Sequence, residues 1–306
     1  MNVNSEARPV PWNGIEILAA LYLVWFVWPL TISFVLKGVG VEHWYYGETA
    51  PEMPLRLGLW VRTFALPFQA ITIPLLFSAF SGTRPNQLGL TTQHLSRNVL
   101  AGLASWLALT PLVFGIFLLL RYLYSQSGEN VVEQHDLETI GRQSLFAAEW
   151  AMLIFSAMVA APLLEELTFR GVLQPWLAVR KWGGLAAMLG ALTLAIAFRW
   201  QHICEAWPQG LPSLVAATTP ALFVLALLPI YFFIWWRSRT PLGPAIFGTS
   251  LLFAYIHASV WPSPIPLFIL SLGLGTLASR SGSLVGPIVL HSLFNGVSCA
   301  QLLMSL

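Results

Sequence analysis

Charge is what this chain has least of. Asp, Glu, Lys and Arg make up 9% of its 306 residues, while hydrophobic residues make up 57%. The mean hydropathy is +0.71. A soluble domain of this size cannot bury so much apolar surface, so lipid must be its solvent. A net charge of +2 provides no basic surface for nucleic acid. The two cysteines, Cys204 and Cys299, form no pattern and indicate no disulfide framework. Also missing are Gly-x-Ser-x-Gly, His-Glu-x-x-His and a pair of intramembrane aspartates, so serine, zincin and aspartyl chemistry have no visible support. There is no clear internal repeat, low-complexity tract or soluble domain. No cleavable signal is visible either. The polar "MNVNSEARPVPWNG" precedes an apolar run too long for a signal core, which is expected to be a retained first span.

What is present is a series of apolar runs. A spanning helix needs about 20 mostly apolar residues. Nine runs come near this, at roughly 14–36, 58–80, 98–120, 144–172, 185–198, 213–236, 242–260, 264–279 and 284–304, the fifth and eighth being short. The expected fold class is all-α, a polytopic transmembrane helical bundle of about 8–9 spans. The 14 Trp and 7 Tyr fit anchoring at the interface, as in "HWYYG" and "WPQG". Loops 81–97, 173–184, 237–240 and 279–283 hold seven Lys/Arg and no acid, whereas the alternate loops hold four Lys/Arg and eight acids. By the positive-inside rule the first set is cytoplasmic and the N-terminus lies inside. The polar stretch "SQSGENVVEQHDLETIGRQ" reads as an ordinary solvated loop.

Two adjacent carboxylates interrupt the fourth run, in "LLEELTFRG". An ionised carboxylate at mid-membrane depth costs about 2.5–3.5 kcal/mol even on a lenient scale. Glu166 and Arg170 stand four apart and can pair on one helix face. That accounts for one acid and leaves Glu165. Three histidines, His43, His94 and His135, lie in loops and read as solvated. His257 in "LLFAYIHA" and His291 in "GPIVLHSLFNG" lie in or at the end of apolar runs, where a polar ring needs a partner. His257 shares a face with Phe253, and His291 with Asn295. Singly these are polar contacts between helices; together they suggest a site inside a bundle. A Glu in an apolar cavity holds a proton tightly enough to take one from water near neutral pH. A His beside it can orient that water. A His and an Asn one turn apart can stabilise an oxyanion. Water, base and oxyanion hole are the parts that hydrolyse an amide.

"EELTFRG", "FAYIH" and "HSLFN" resemble the three motifs of the CAAX protease and bacteriocin-processing family of intramembrane glutamic endopeptidases: Glu-Glu-x-x-x-Arg, Phe-x-x-x-His and His-x-x-x-Asn. The flanks "SLLFAYIH" and "RSGSLVGPIVLHSLFNG" agree. The resemblance covers roughly 144–306, so 1–143 are expected to be N-terminal membrane spans and loops before a catalytic helical core. It implies that Glu165 activates water, that Glu166 and Arg170 support it, that His257 binds the same water, and that His291 and Asn295 form the oxyanion hole. It implies no cofactor; zinc held by Glu165, His257 and His291 is the lesser alternative. The implied partners are a membrane protein or peptide substrate and the bilayer, with no nucleic acid. The implied location is the bacterial inner membrane. A non-catalytic immunity or scaffold relative, and a transporter, are the other readings of buried charge.

One departure from the family is an insertion at about 183–240, which leaves 86 residues between Arg170 and His257. It carries a rival motif, Phe198 and His202, whose flanks and spacing do not fit; His202 reads as interfacial. For His257 to share the depth of Glu165, its span is expected to begin near Phe247, with "RTPLGPA" at the interface.

Overall fold

The computed structural model describes residues 10–40, 53–126 and 145–304. Loop residues His43 and His135 and most of the two long polar loops lie outside the described residues. The described part is mostly helical, with no strand among its residues. Nine helices follow in order: α1 (Gly14–Gly38), α2 (Met53–Ser81), α3 (Leu95–Gln126), α4 (Ala147–Ala178), α5 (Gly183–Ala206), α6 (Leu211–Arg237), α7 (Leu242–Tyr255), α8 (Pro264–Ser281) and α9 (Val285–Met304). Seven are long and apolar enough to cross a bilayer. α7 and α8 are the exceptions: α7 has 14 residues, short of a bilayer's thickness.

Local chemistry explains several boundaries. Asn13 caps α1, its Oδ1 accepting from the Ile15 and Glu16 amides at 2.8 and 3.2 Å, while Glu16 reaches back to the Asn13 amide at 3.2 Å. The fifth span is longer than its apolar run, because "RWQHICEA" continues the helix with Gln201, His202 and Glu205 exposed. His202 and Phe198 sit on that exposed stretch. α7 begins at Leu242, five residues before the expected start, because Pro244 fits a first helical turn. It ends at Tyr255 rather than near 260; turns carry the chain through His257 to Pro264.

The chain divides into two compact units. One gathers α1, α2, α3 up to Trp106, α4 up to Val172, and α9. The other gathers α3 from Leu107, the end of α4, and α5 to α8. In the second unit, small residues let backbones touch. A methyl on Gly184 of α5 would lie 2.2 Å from the Pro244 carbonyl oxygen, and one on Gly248 of α7 would lie 2.1 Å from the Gly184 carbonyl oxygen. Around this contact Met188, Ala191 and Ala195 of α5 meet Leu251, Ala254 and Tyr255 of α7. Lipid gives helices no hydrophobic reason to associate, so such close backbone approach must hold them. In the first unit, Gly102 of α3 faces the Gly286 carbonyl of α9. The Leu284 amide just before α9 donates to Gly89 O at 2.9 Å, and Gly171 of α4 packs on Leu88 of the same turn. Through that turn, α4 and α9 are set side by side.

Candidate active site

Helix α4 carries two π-helical stretches, Ser156–Ala160 and Leu167–Leu173, on either side of the two glutamates. π turns are rare, and they recur at functional sites because they release backbone groups and re-aim side chains. The first has a visible cause. The Ala161 amide reaches back five residues to Ser156 O, and Pro162 has no N–H. These are the two amides that would otherwise serve the Ala157 carbonyl. Asn295 of α9 takes their place, donating from Nδ2 to Ala157 O at 2.8 Å.

One turn earlier on α9, His291 meets both glutamates. Its Nδ1 bonds Glu166 Oε1 at 2.8 Å, and its Nε2 stands 3.8 Å from Glu165 Oε2. Glu166 Oε1 also accepts from Arg170 Nη1 at 3.0 Å. One carboxylate oxygen therefore ties the guanidinium to the imidazole. Glu166 is fully buried, Arg170 and His291 nearly so. Glu165 is 8% exposed; its Oε2 is buried and has no hydrogen-bond partner among the described residues. A buried carboxylate oxygen without a donor is uncommon and calls for a functional reason.

The structure thus brings Glu165, Glu166, Arg170 and His291 together in one unit. Asn295 lies one turn along, its side-chain amide donating to the Ala157 carbonyl. His257 belongs to the other unit, in the turn after α7. It is half-buried, its ring 5.3 Å from that of Phe253, with Nδ1 bonded to Phe253 O at 3.1 Å. That bond places a proton on Nδ1 and leaves Nε2 as the acceptor of a neutral ring. Among the described residues, no group of three or more His, Cys, Asp or Glu is placed to hold a metal ion.

Sequence reasoning missed a third buried acid. Glu149, in the first turn of α4, is 1% exposed and accepts from the Phe146 amide at 3.0 Å. Arg56 of α2 stands 3.9 Å away and lies over the Phe146 ring. The two are 93 positions apart, so no spacing rule could join them. Gln174 was missed too: buried, it donates to Gly275 O at 3.0 Å and to Ser279 Oγ at 2.7 Å, fastening the end of α4 to α8. The signal for it was a Gln inside an apolar run.

These features define a class: a multi-pass integral membrane protein with a polar, partly unsatisfied cluster on a π-distorted helix. Residues 147–241 and 230–297 match the family described as type II CAAX prenyl endopeptidase, Rce1-like. The chain belongs to that family and is a membrane-embedded hydrolase of peptide bonds. No curated protein and no solved structure matches it.

Proposed function

We propose that the chain is a glutamic endopeptidase that cleaves a membrane protein or peptide at a bond near the bilayer, with Glu165 as the base. The observation that carries this reading is the unpartnered Glu165 Oε2, buried and 3.8 Å from His291 Nε2. That distance exceeds a hydrogen bond. A water bonded to both atoms would sit beside the line joining them, where a carbonyl carbon can approach it.

The roles follow from the donors and acceptors. Glu165 takes the proton as the water oxygen attacks the scissile carbonyl carbon. The resemblance in sequence assigns His257 a bond to that water, for which its Nε2 lone pair is the fitting acceptor. The carbonyl π electrons move onto oxygen. His291, held by Glu166 through Nδ1, turns Nε2 toward the oxyanion, and Asn295 adds its second amide hydrogen. The tetrahedral intermediate collapses, the C–N bond breaks, and Glu165 returns its proton to the leaving amine. Glu166 touches no reacting atom; it holds His291 and is neutralised by Arg170. The family's name supplies a prenylated substrate for its namesakes, but no feature of this chain selects a prenyl group. The seven-to-four distribution of Lys/Arg between loop sets supports an N-terminus on the cytoplasmic side of a bacterial inner membrane.

The test compares the membrane proteomes of cells carrying the wild-type chain and Glu165→Gln. The expected result is a small set of membrane polypeptides that persist uncleaved only in the variant. Identical proteomes, with both chains inserted at equal levels, would defeat the proposal.

A further inference from the structure

The α5–α6 hairpin brings an aromatic and basic end to the second unit. Trp182, just before α5, stacks on Trp235 near the end of α6, with centroids 5.1 Å apart and planes at 14°. The Lys181 ammonium stands over both rings, 5.4 and 5.8 Å from their centroids. The Arg180 guanidinium lies 3.8 Å from the Trp176 ring centroid and donates to the Trp176 carbonyl. Arg237 and Arg239 follow Trp235 within four positions and, like Arg180, Lys181 and Trp182, are exposed. Arg280 closes α8 next to Ser279, which Gln174 fastens to the end of α4.

The charge on this end has one sign. Residues 173–280 contain a single acid, Glu205, and it lies at the opposite end of α5, where Gln201 Nε2 bonds it at 3.0 Å. The five cations named therefore have no carboxylate within their own segments. Two of them, Arg180 and Lys181, are held instead over aromatic rings: a cation over a Trp face keeps its charge and remains free to bond outward. Trp rings at the ends of spanning helices belong at headgroup depth. Here one span begins at Gly183 and another ends at Arg237. A partner for this end must be anionic, must lie at that depth, and must tolerate flat indole rings beside it.

We propose that this end of the hairpin binds the headgroup of an anionic phospholipid. Lys181, Arg237 and Arg239 contact the phosphate, and the Trp182–Trp235 pair packs on the glycerol and first acyl carbons. The proposal is independent of the peptidase chemistry.

The test is native mass spectrometry of the purified chain with phosphatidylglycerol and phosphatidylcholine offered together. The wild type is expected to retain phosphatidylglycerol selectively. Each Lys or Arg near an anionic headgroup contributes roughly fivefold in affinity, so K181Q/R237Q/R239Q should bind on the order of 100-fold more weakly. The single variant K181Q should lose about fivefold and serves if the triple variant is poorly folded. R199Q, on the α5 segment near Glu205, should bind as the wild type does. Millimolar inorganic phosphate should not displace the lipid. Undiminished binding by K181Q or a folded triple variant overturns the proposal, as does an equal loss in R199Q or displacement by free phosphate.

Discussion

Two neighbouring glutamates should respond differently to the same substitution. Glu166 is fully buried and accepts from both Arg170 and His291. In Glu166→Gln the side chain keeps its volume but loses its charge. Its amide nitrogen would also present hydrogens to one of two donors. Removing one partner of a buried ion pair costs about 3–5 kcal/mol. Two hydrogen bonds to a charged acceptor, at about 1.5–3 kcal/mol each, give the same range. Glu165→Gln removes no such bond, since Oε2 has no donor among the described residues. Its stability should stay near wild type, while cleavage falls about 10²–10⁴-fold through loss of the base. The assay pairs thermal unfolding in detergent, followed by Trp fluorescence, with cleavage of a substrate found in the proteome comparison. Glu166→Gln should lose both stability and cleavage; Glu165→Gln should lose only cleavage. The double variant Glu166→Met/Arg170→Met should be more stable than Glu166→Gln and still inactive, because exchanging a whole buried pair for apolar side chains is far less costly than halving it. If Glu166→Gln unfolded like the wild type, Glu166 could not be the anchor of the cluster. If Glu165→Gln kept full activity, Glu165 could not be the base.

Asn295→Ala should lower turnover by about 10²–10³-fold with substrate affinity little changed. It should also cost about 1 kcal/mol of stability, by orphaning Ala157 O; a loss seen only as weaker affinity would make Asn295 a substrate contact. Dialysis against a chelator should leave activity intact, and activity lost on chelation and restored by zinc would favour a metal held by Glu165, His257 and His291. Gly184→Val should prevent α5 and α7 from closing, since a methyl alone would meet Pro244 O at 2.2 Å; normal expression and unfolding of that variant would contradict the packing.

Much of this molecule is legible in its sequence because lipid enforces simple rules. Helix existence follows from apolar run length, and each of the nine runs contains a helix. Run length failed at α5, where a helix can outlast its apolar stretch once its polar face reaches water or headgroups. It failed at α7, where turns and prolines cut short what hydropathy alone would extend. In the cluster, the Glu166–Arg170 contact is readable from four-residue spacing, and the link to His291 from the requirement that a buried ring find a partner. Which glutamate that partner would be was not readable. Spacing placed Glu166 with Arg170, whereas one of its oxygens serves both donors. The π turns were hidden as well. They arise where Pro162 and tertiary contacts overrule an otherwise ordinary helical sequence, and only coordinates reveal which carbonyl is released.

The bonds His291–Glu166 and Asn295–Ala157 have a mechanical meaning. They fasten α9 to α4 at two points, one turn apart on α9 and nine residues apart on α4. Separating these helices would break both, at about 1.5–3 kcal/mol for the charged bond and about 1 kcal/mol for the neutral one. Sliding them along each other would break both as well. The pair behaves as a rigid jaw whose bite is set before any substrate arrives. Access to Glu165 must then come from the motion of other helices around this jaw, and variants that loosen substrate entry should map away from the α4–α9 seam.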